Sequence, residues 1–137
     1  MIPETHQGSF RGPNRLWFEP NSTERCEGTM TVGATSLDYT WSFRGKPQTG
    51  RLALFGPAPA VRAEWRDSWH MGNGTGLNGF VDEGVLRLFC TYPAGDGPEW
   101  GWRIELDMRD PEHLVLRMYN VEPDGSIQAA VDLRGGR

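Results

Sequence analysis

The chain has little of what usually announces a mechanism. It holds two cysteines, Cys26 and Cys90, far apart in sequence. They form no C-x-x-C and no zinc-type spacing with His6, His70 or His113, so no metal site is expected and free thiols are the plain reading. No run of like charge exists: 14 basic and 18 acidic residues are scattered, for a net charge of −4. Binding to a phosphate backbone needs a basic patch, so no nucleic-acid partner is expected. No apolar stretch approaches the ~18 residues of a membrane helix, and Met1 to Phe10 carry no signal-peptide core. The expectation is a cytoplasmic protein with no membrane partner. There is also no long amphipathic helix, no linker, no repeat and no cofactor motif, so no cofactor is expected.

What is present is turn chemistry and aromatic side chains. Within 137 residues, the length of one domain, lie 18 Gly, 10 Pro and 6 Trp. Turn signals recur every ten or so residues. They fall at Glu19-Pro20-Asn21-Ser22, Gly33-Ala34-Thr35, Gly45-Lys46-Pro47, Gly56-Pro57-Ala58-Pro59, Gly72 to Gly76, Asp82-Glu83-Gly84, Pro93 to Pro98, Arg109-Asp110-Pro111 and Glu122-Pro123-Asp124-Gly125. Glycine supplies positive φ at such places, and proline fixes φ and stops strand pairing. A short helical turn at Asn21 to Arg25, capped by Asn21 or Ser22, is compatible with the residues.

Between the turns the apolar residues alternate with period two, which specifies strands with one dry and one wet face. Leu37, Tyr39, Trp41 and Phe43 share one face. Val61, Ala63, Trp65, Asp67 and Trp69 oppose Arg62, Glu64, Arg66, Ser68 and His70. Leu86, Leu88, Cys90 and Tyr92 share a face, as do Trp100, Trp102, Ile104, Leu106 and Met108. The same parity joins Ile127, Ala129, Val131 and Leu133. About ten short antiparallel strands must dispose of two edges, and closure into an up-and-down β-barrel does so best. A Greek-key sandwich is the alternative.

Particular strings carry a resemblance. They are Gly8-Ser9-Phe10-Arg11-Gly12, Tyr39-Thr40-Trp41, Trp65-Arg66-Asp67-Ser68-Trp69-His70, Trp100-Gly101-Trp102-Arg103-Ile104 and Met118-Tyr119-Asn120-Val121-Glu122-Pro123-Asp124-Gly125. Over most of its length the chain resembles a family of small bacterial proteins of unknown function with lipocalin-like (calycin-type) barrels. The resemblance implies one all-β barrel domain over residues 1–137, with an internal ligand site and no transferable catalytic residue. The helix pair that lids the fatty-acid-binding relatives is not readable, since residues 19–24 are too few for it.

Asp67 is the most informative residue. By parity it shares an aromatic face with Trp65 and Trp69, where a carboxylate must be paired, hydrogen-bonded or protonated. It reads as a ligand anchor, as a general acid or base raised by burial, or as a structural acceptor. His70 has outward parity near the rim, and the glycines after it read as a flexible rim loop. Tyr39, Trp41, Trp65, Trp69, Tyr92, Trp100 and Trp102 line up inward, with Asn120 adding one amide. Flat apolar walls with a few polar groups suit a small hydrophobic or aromatic molecule. Arg103 and Arg117 have outward parity, and Arg134 to Arg137 read as a frayed end.

Four functions follow from this reading. The first is a barrel that binds a small hydrophobic or aromatic ligand in its interior. The second is an enzyme in the same cavity, with Asp67 as acid or base and His70 nearby. The third is a haem barrel, disfavoured because His70 and His113 both have outward parity. The fourth is a homodimer that pairs outer faces, for which the expected charged exterior gives little support.

Overall fold

A computed structural model describes residues 1–19 and 22–137. Ten antiparallel strands close into one barrel in the order β1-β10-β9-β8-β7-β6-β5-β4-β3-β2, so every strand pairs with its neighbours in sequence and the last with the first. The strands are β1 (Gly8–Glu19), β2 (Ser22–Val32), β3 (Ser36–Phe43), β4 (Lys46–Phe55) and β5 (Ala60–Asp67). They continue as β6 (Met71–Asp82), β7 (Val85–Tyr92), β8 (Trp100–Asp107), β9 (His113–Val121) and β10 (Ile127–Gly136). Closure leaves no free edge, which decides for the barrel over the Greek-key sandwich. The expected turn at Pro20 and Asn21 lies outside the described residues. Ser22 to Arg25 are strand, not a helical turn.

The barrel interior has two unlike halves. The lower half is aliphatic: Leu37, Leu52, Leu54, Val61, Leu86, Leu106, Leu114 and Leu116 are all buried. Its end is closed by the N-terminal segment, where Ile2 is buried and its N–H donates to the Ala34 carbonyl at 2.8 Å. A single turn of 3-10 helix, Glu4–His6, follows. Its last residue, His6, is buried, and the His6 Nε2 bonds the Asp110 carbonyl at 2.7 Å. The C-terminus is not frayed. Arg137 donates to the Thr5 and Gln7 carbonyls and lays its guanidinium 4.5 Å from the Phe10 ring centre. Gly135 is buried, and a Cβ there would meet Phe10 and Met30 at 2.7 Å, so the strand end packs because the residue has no side chain.

Three further local expectations fail. Met71 to Gly76 are not a rim loop but the start of β6. They pair with β5, with Trp65 opposite Thr75 and Asp67 opposite Met71, so a bulge absorbs the extra residues and Gly74 takes φ +79°. The turn instead occupies residues 68–70. A register shift between Ala129 and Val131 breaks the parity of β10. Val131 and Leu133 face inward as expected, but Ile127 is half exposed, and Ala130 is buried in place of Ala129. The outer wall is also less uniformly charged than expected, since Phe55, Phe80 and Phe89 stand exposed on it.

Candidate functional site

The upper half of the interior is aromatic. Tyr39 and Trp41 project inward from β3, Trp65 and Asp67 from β5, and Trp102 from β8, all buried. Tyr39 stacks on Trp41 at 5.5 Å, and Trp65 on Trp102 at 5.3 Å with the rings only 9° apart. The Tyr39 ring lies over Gly50, its cross-strand partner, where a Cβ would come within 2.0 Å of the ring. Position 50 is therefore glycine for space rather than for backbone freedom.

Asp67 ends β5 and is saturated with donors. Its Oδ1 accepts the backbone N–H groups of Trp69 and Met71, both at 3.1 Å, and that of His70. Its Oδ2 accepts the Tyr39 hydroxyl at 2.7 Å and meets His70 Nδ1 at 3.1 Å. The Tyr39 oxygen in turn accepts the Trp65 indole N–H at 2.8 Å. Burial alone would raise the Asp67 carboxyl, but the His70 side chain, its charge when protonated, the Tyr39 hydroxyl and the His70 N–H together outweigh burial. The result is a carboxyl held below its ordinary range, hence ionised. The expectation of a pKa raised by burial is thus reversed. Tyr39 moves the other way: burial first, then the Asp67 charge, push its phenol well above the ordinary value.

The outward parity of His70 is likewise corrected. Strand geometry ends at Asp67, and the three N–H groups gathered by its carboxylate fold residues 68–70 into a turn. That turn swings His70 into the barrel mouth. Its ring centre lies 4.8 Å from Trp102, 6.2 Å from Trp65 and 6.5 Å from Trp41. Its side chain keeps 18% of its surface exposed, while that of Asp67 keeps none. The parity argument against a haem ligand therefore falls. What now speaks against haem is the crowding of that ring by four indoles, those of Trp41, Trp65, Trp69 and Trp102.

Around His70 the rim has two sides. On one, Trp69 packs edge-on against Phe43 at 4.9 Å, and Phe18 lies 5.1 Å from Phe43. Sequence parity gave Trp69 an inward position but not its role as part of a rim cluster. On the other side, half-buried Tyr92 donates to Asn120 Oδ1, and Trp100 sits opposite Tyr92 in register. Asn120 lies directly across from Trp102. All ten candidate residues thus stand at the upper end, but in two ranks. Tyr39, Trp41, Trp65 and Asp67 form a sealed floor, while Trp69, His70, Tyr92, Trp100 and Asn120 are partly exposed, with Trp102 between the ranks. Phe18 and Phe43 were missed as a unit, although Phe43 continues the inward parity of Trp41.

Among the described residues, the indole N–H groups of Trp41 and Trp102 are buried without a partner. Unpaired buried donors are uncommon in native interiors, and both rings pack on His70. Open concavities lie on the outer wall. One of about 540 Å³ flanks the β5–β6 bulge beside Arg51, Glu64 and Arg66. Another of about 710 Å³ crosses β1, β10 and β9 beside Arg11, Arg109, Arg117 and Arg134. Both are solvent-open with charged walls and neither includes His70, so the mouth is the better candidate on chemistry.

Arg117 bonds Asp107 at 3.3 Å, beside Arg109 at 2.7 Å, and Arg103 lies 4.9 Å from the Tyr119 ring centre, as outward residues should. Both cysteines are free and half-buried. Among the described residues, no helix is long and apolar enough to cross a membrane. No protein-family model and no curated protein matches the chain.

Proposed function

We propose that this protein is a lipocalin-like barrel that binds a small hydrophobic or aromatic molecule at its upper mouth. The observation that carries the reading is His70: a titratable ring fixed by a buried carboxylate, partly open to solvent and walled by indoles. Trp69, Tyr92 and Trp100 give flat apolar walls at the rim, and Trp102 with His70, above the sealed floor, gives the surface a ligand would rest on. Tyr39, Trp41 and Trp65 act from behind, by holding Trp102 and Asp67 in place. The lower interior is filled by buried aliphatic side chains, so the ligand sits high in the barrel. The unpaired indole donors of Trp41 and Trp102 offer partners to a ligand oxygen when the rim rings shift.

The test is uptake of hydrophobic aromatic probes such as 1-anilinonaphthalene-8-sulfonate, followed by tryptophan quenching and native mass spectrometry. Saturable one-to-one binding, weakened by Trp69→Ala or Trp100→Ala in a folded variant, is expected. No uptake of any aromatic probe by the folded protein would sink the reading. A homodimer is a second reading for the outer wall, favoured by the exposed rings of Phe80 and Phe89. Sedimentation over a concentration series tests it, and a monomer throughout would remove it.

A further inference from the structure

The chain contains two Asp-x-x-His segments, one ending at His70 and one at His113. In both, His Nδ1 meets Asp Oδ2, at 3.1 Å and 2.9 Å. Only the first pair sits in a walled site. Its carboxylate is ionised and accepts only, so Nδ1 carries the proton and the lone pair is left on Nε2. Among the described residues Nε2 has no hydrogen-bond partner, and it is not one of the sealed, unpartnered atoms. A fixed, open imidazole nitrogen backed by a buried carboxylate has the geometry of a general base.

We propose that His70 is a general base that activates water to hydrolyse small uncharged aryl esters held at the upper mouth, with Asp67 as its positioning residue. This rests on the ligand-site reading above. Three features select the chemistry. No serine, threonine or cysteine side chain bonds His70 among the described residues, so the nucleophile comes from solvent, which reaches the ring. The rim rings suit a flat aryl group rather than a charged one. Tyr92 donates to Asn120 Oδ1, which leaves the Asn120 Nδ2 donors for the ester carbonyl oxygen.

The step balances without a cofactor. A water O–H proton passes to Nε2 as the water oxygen bonds the acyl carbon, and the carbonyl electron pair moves onto oxygen. The pair then returns, the acyl–aryloxide bond breaks, and the aryloxide takes the proton from Nε2. Ester and water become acid and phenol. The positive imidazolium formed midway lies against the Asp67 carboxylate, which stabilises it.

The test is nitrophenolate release from p-nitrophenyl acetate and butyrate, with p-nitroacetanilide as an uncleaved analogue whose binding is read by tryptophan quenching. The wild type should show saturable turnover above an equal concentration of free imidazole. His70→Gln should lower kcat/KM by about 10²-fold or more, the usual worth of a general base. His113→Gln, the exposed pair, should leave it unchanged. Asp67→Asn should lower kcat with little change in KM, the split expected of a positioning residue. The His70→Gln comparison stands whether or not Asp67→Asn folds. Equal rates in wild type and His70→Gln, or a wild-type rate no higher than imidazole, would overturn the proposal. If the analogue still binds in that case, only the catalytic inference fails; if it does not bind, the ligand-site reading fails with it.

Discussion

The two Asp-x-x-His pairs share a spacing and a contact but little else. Asp110 and His113 meet at 2.9 Å on the surface, with 59% and 57% of their side chains exposed. Besides His113, the Asp110 carboxylate takes one backbone N–H, that of Glu112 at 2.9 Å. Asp67 accepts three backbone N–H groups, a tyrosine hydroxyl and the His70 ring, and its side chain has no exposed surface. The same local geometry is therefore a solvated turn in one place and a wired interior site in the other. The difference lies in what surrounds the pair: a strand end inside an aromatic barrel against a loop between β8 and β9.

The largest expected contrast is in stability. Asp67→Ala strips five donors of their acceptor, four of them on or beside the 68–70 turn, and should cost about 3 kcal/mol or more. Asp110→Ala should leave the urea midpoint within error of wild type. Comparable losses in the two variants would erase the distinction. Gly50→Ala attacks the same inner network from behind, by pushing the Tyr39 ring off its seat. Overpacking of this kind should cost about 2–3 kcal/mol, read by chemical denaturation. Tyr39→Phe keeps the ring but leaves the Trp65 N–H without an acceptor and Asp67 short of a donor. A loss of about 1.5–3 kcal/mol is expected.

A subtler contrast is in acid. The folded Asp67 carboxyl lies below its unfolded value of about 3.9. Its contribution is therefore complete above that value and disappears as pH falls through the folded one. The stability gap between wild type and Asp67→Asn should narrow steadily below about pH 4. A gap that widens in acid would mean that Asp67 is protonated in the native state. The smallest effect belongs to His113→Gln, which should change neither the denaturation midpoint nor probe binding at the mouth.

Much of the barrel could be read directly, because closure and parity are properties of long alternating runs. The inward positions of Tyr39, Trp41, Trp65, Asp67 and Trp102 follow from residues two apart on strands that stay regular. His70 could not be placed that way. Its parity counts residues through a turn, and the turn exists because one carboxylate collects three N–H groups. The glycines from Gly72 to Gly76 look like a loop, yet strand pairing with β5 absorbs them as a bulge. Ile127 and Ala129 fail for the same reason, a bulge at Ala130 that no residue type marks. The N-terminal plug was equally hidden, since Ile2 and His6 are buried only against loops and strands distant in sequence.

The mouth site depends on His70 facing inward with Nδ1 held by an ionised Asp67. Side-chain ¹⁵N NMR of the three histidines at alkaline pH tests this directly. His70 is predicted to show a protonated Nδ1 and an unprotonated Nε2, a single tautomer distinct from the exposed His113, and to lose that preference in Asp67→Asn. A His70 signal averaged between tautomers, or protonated at Nε2, would contradict the account.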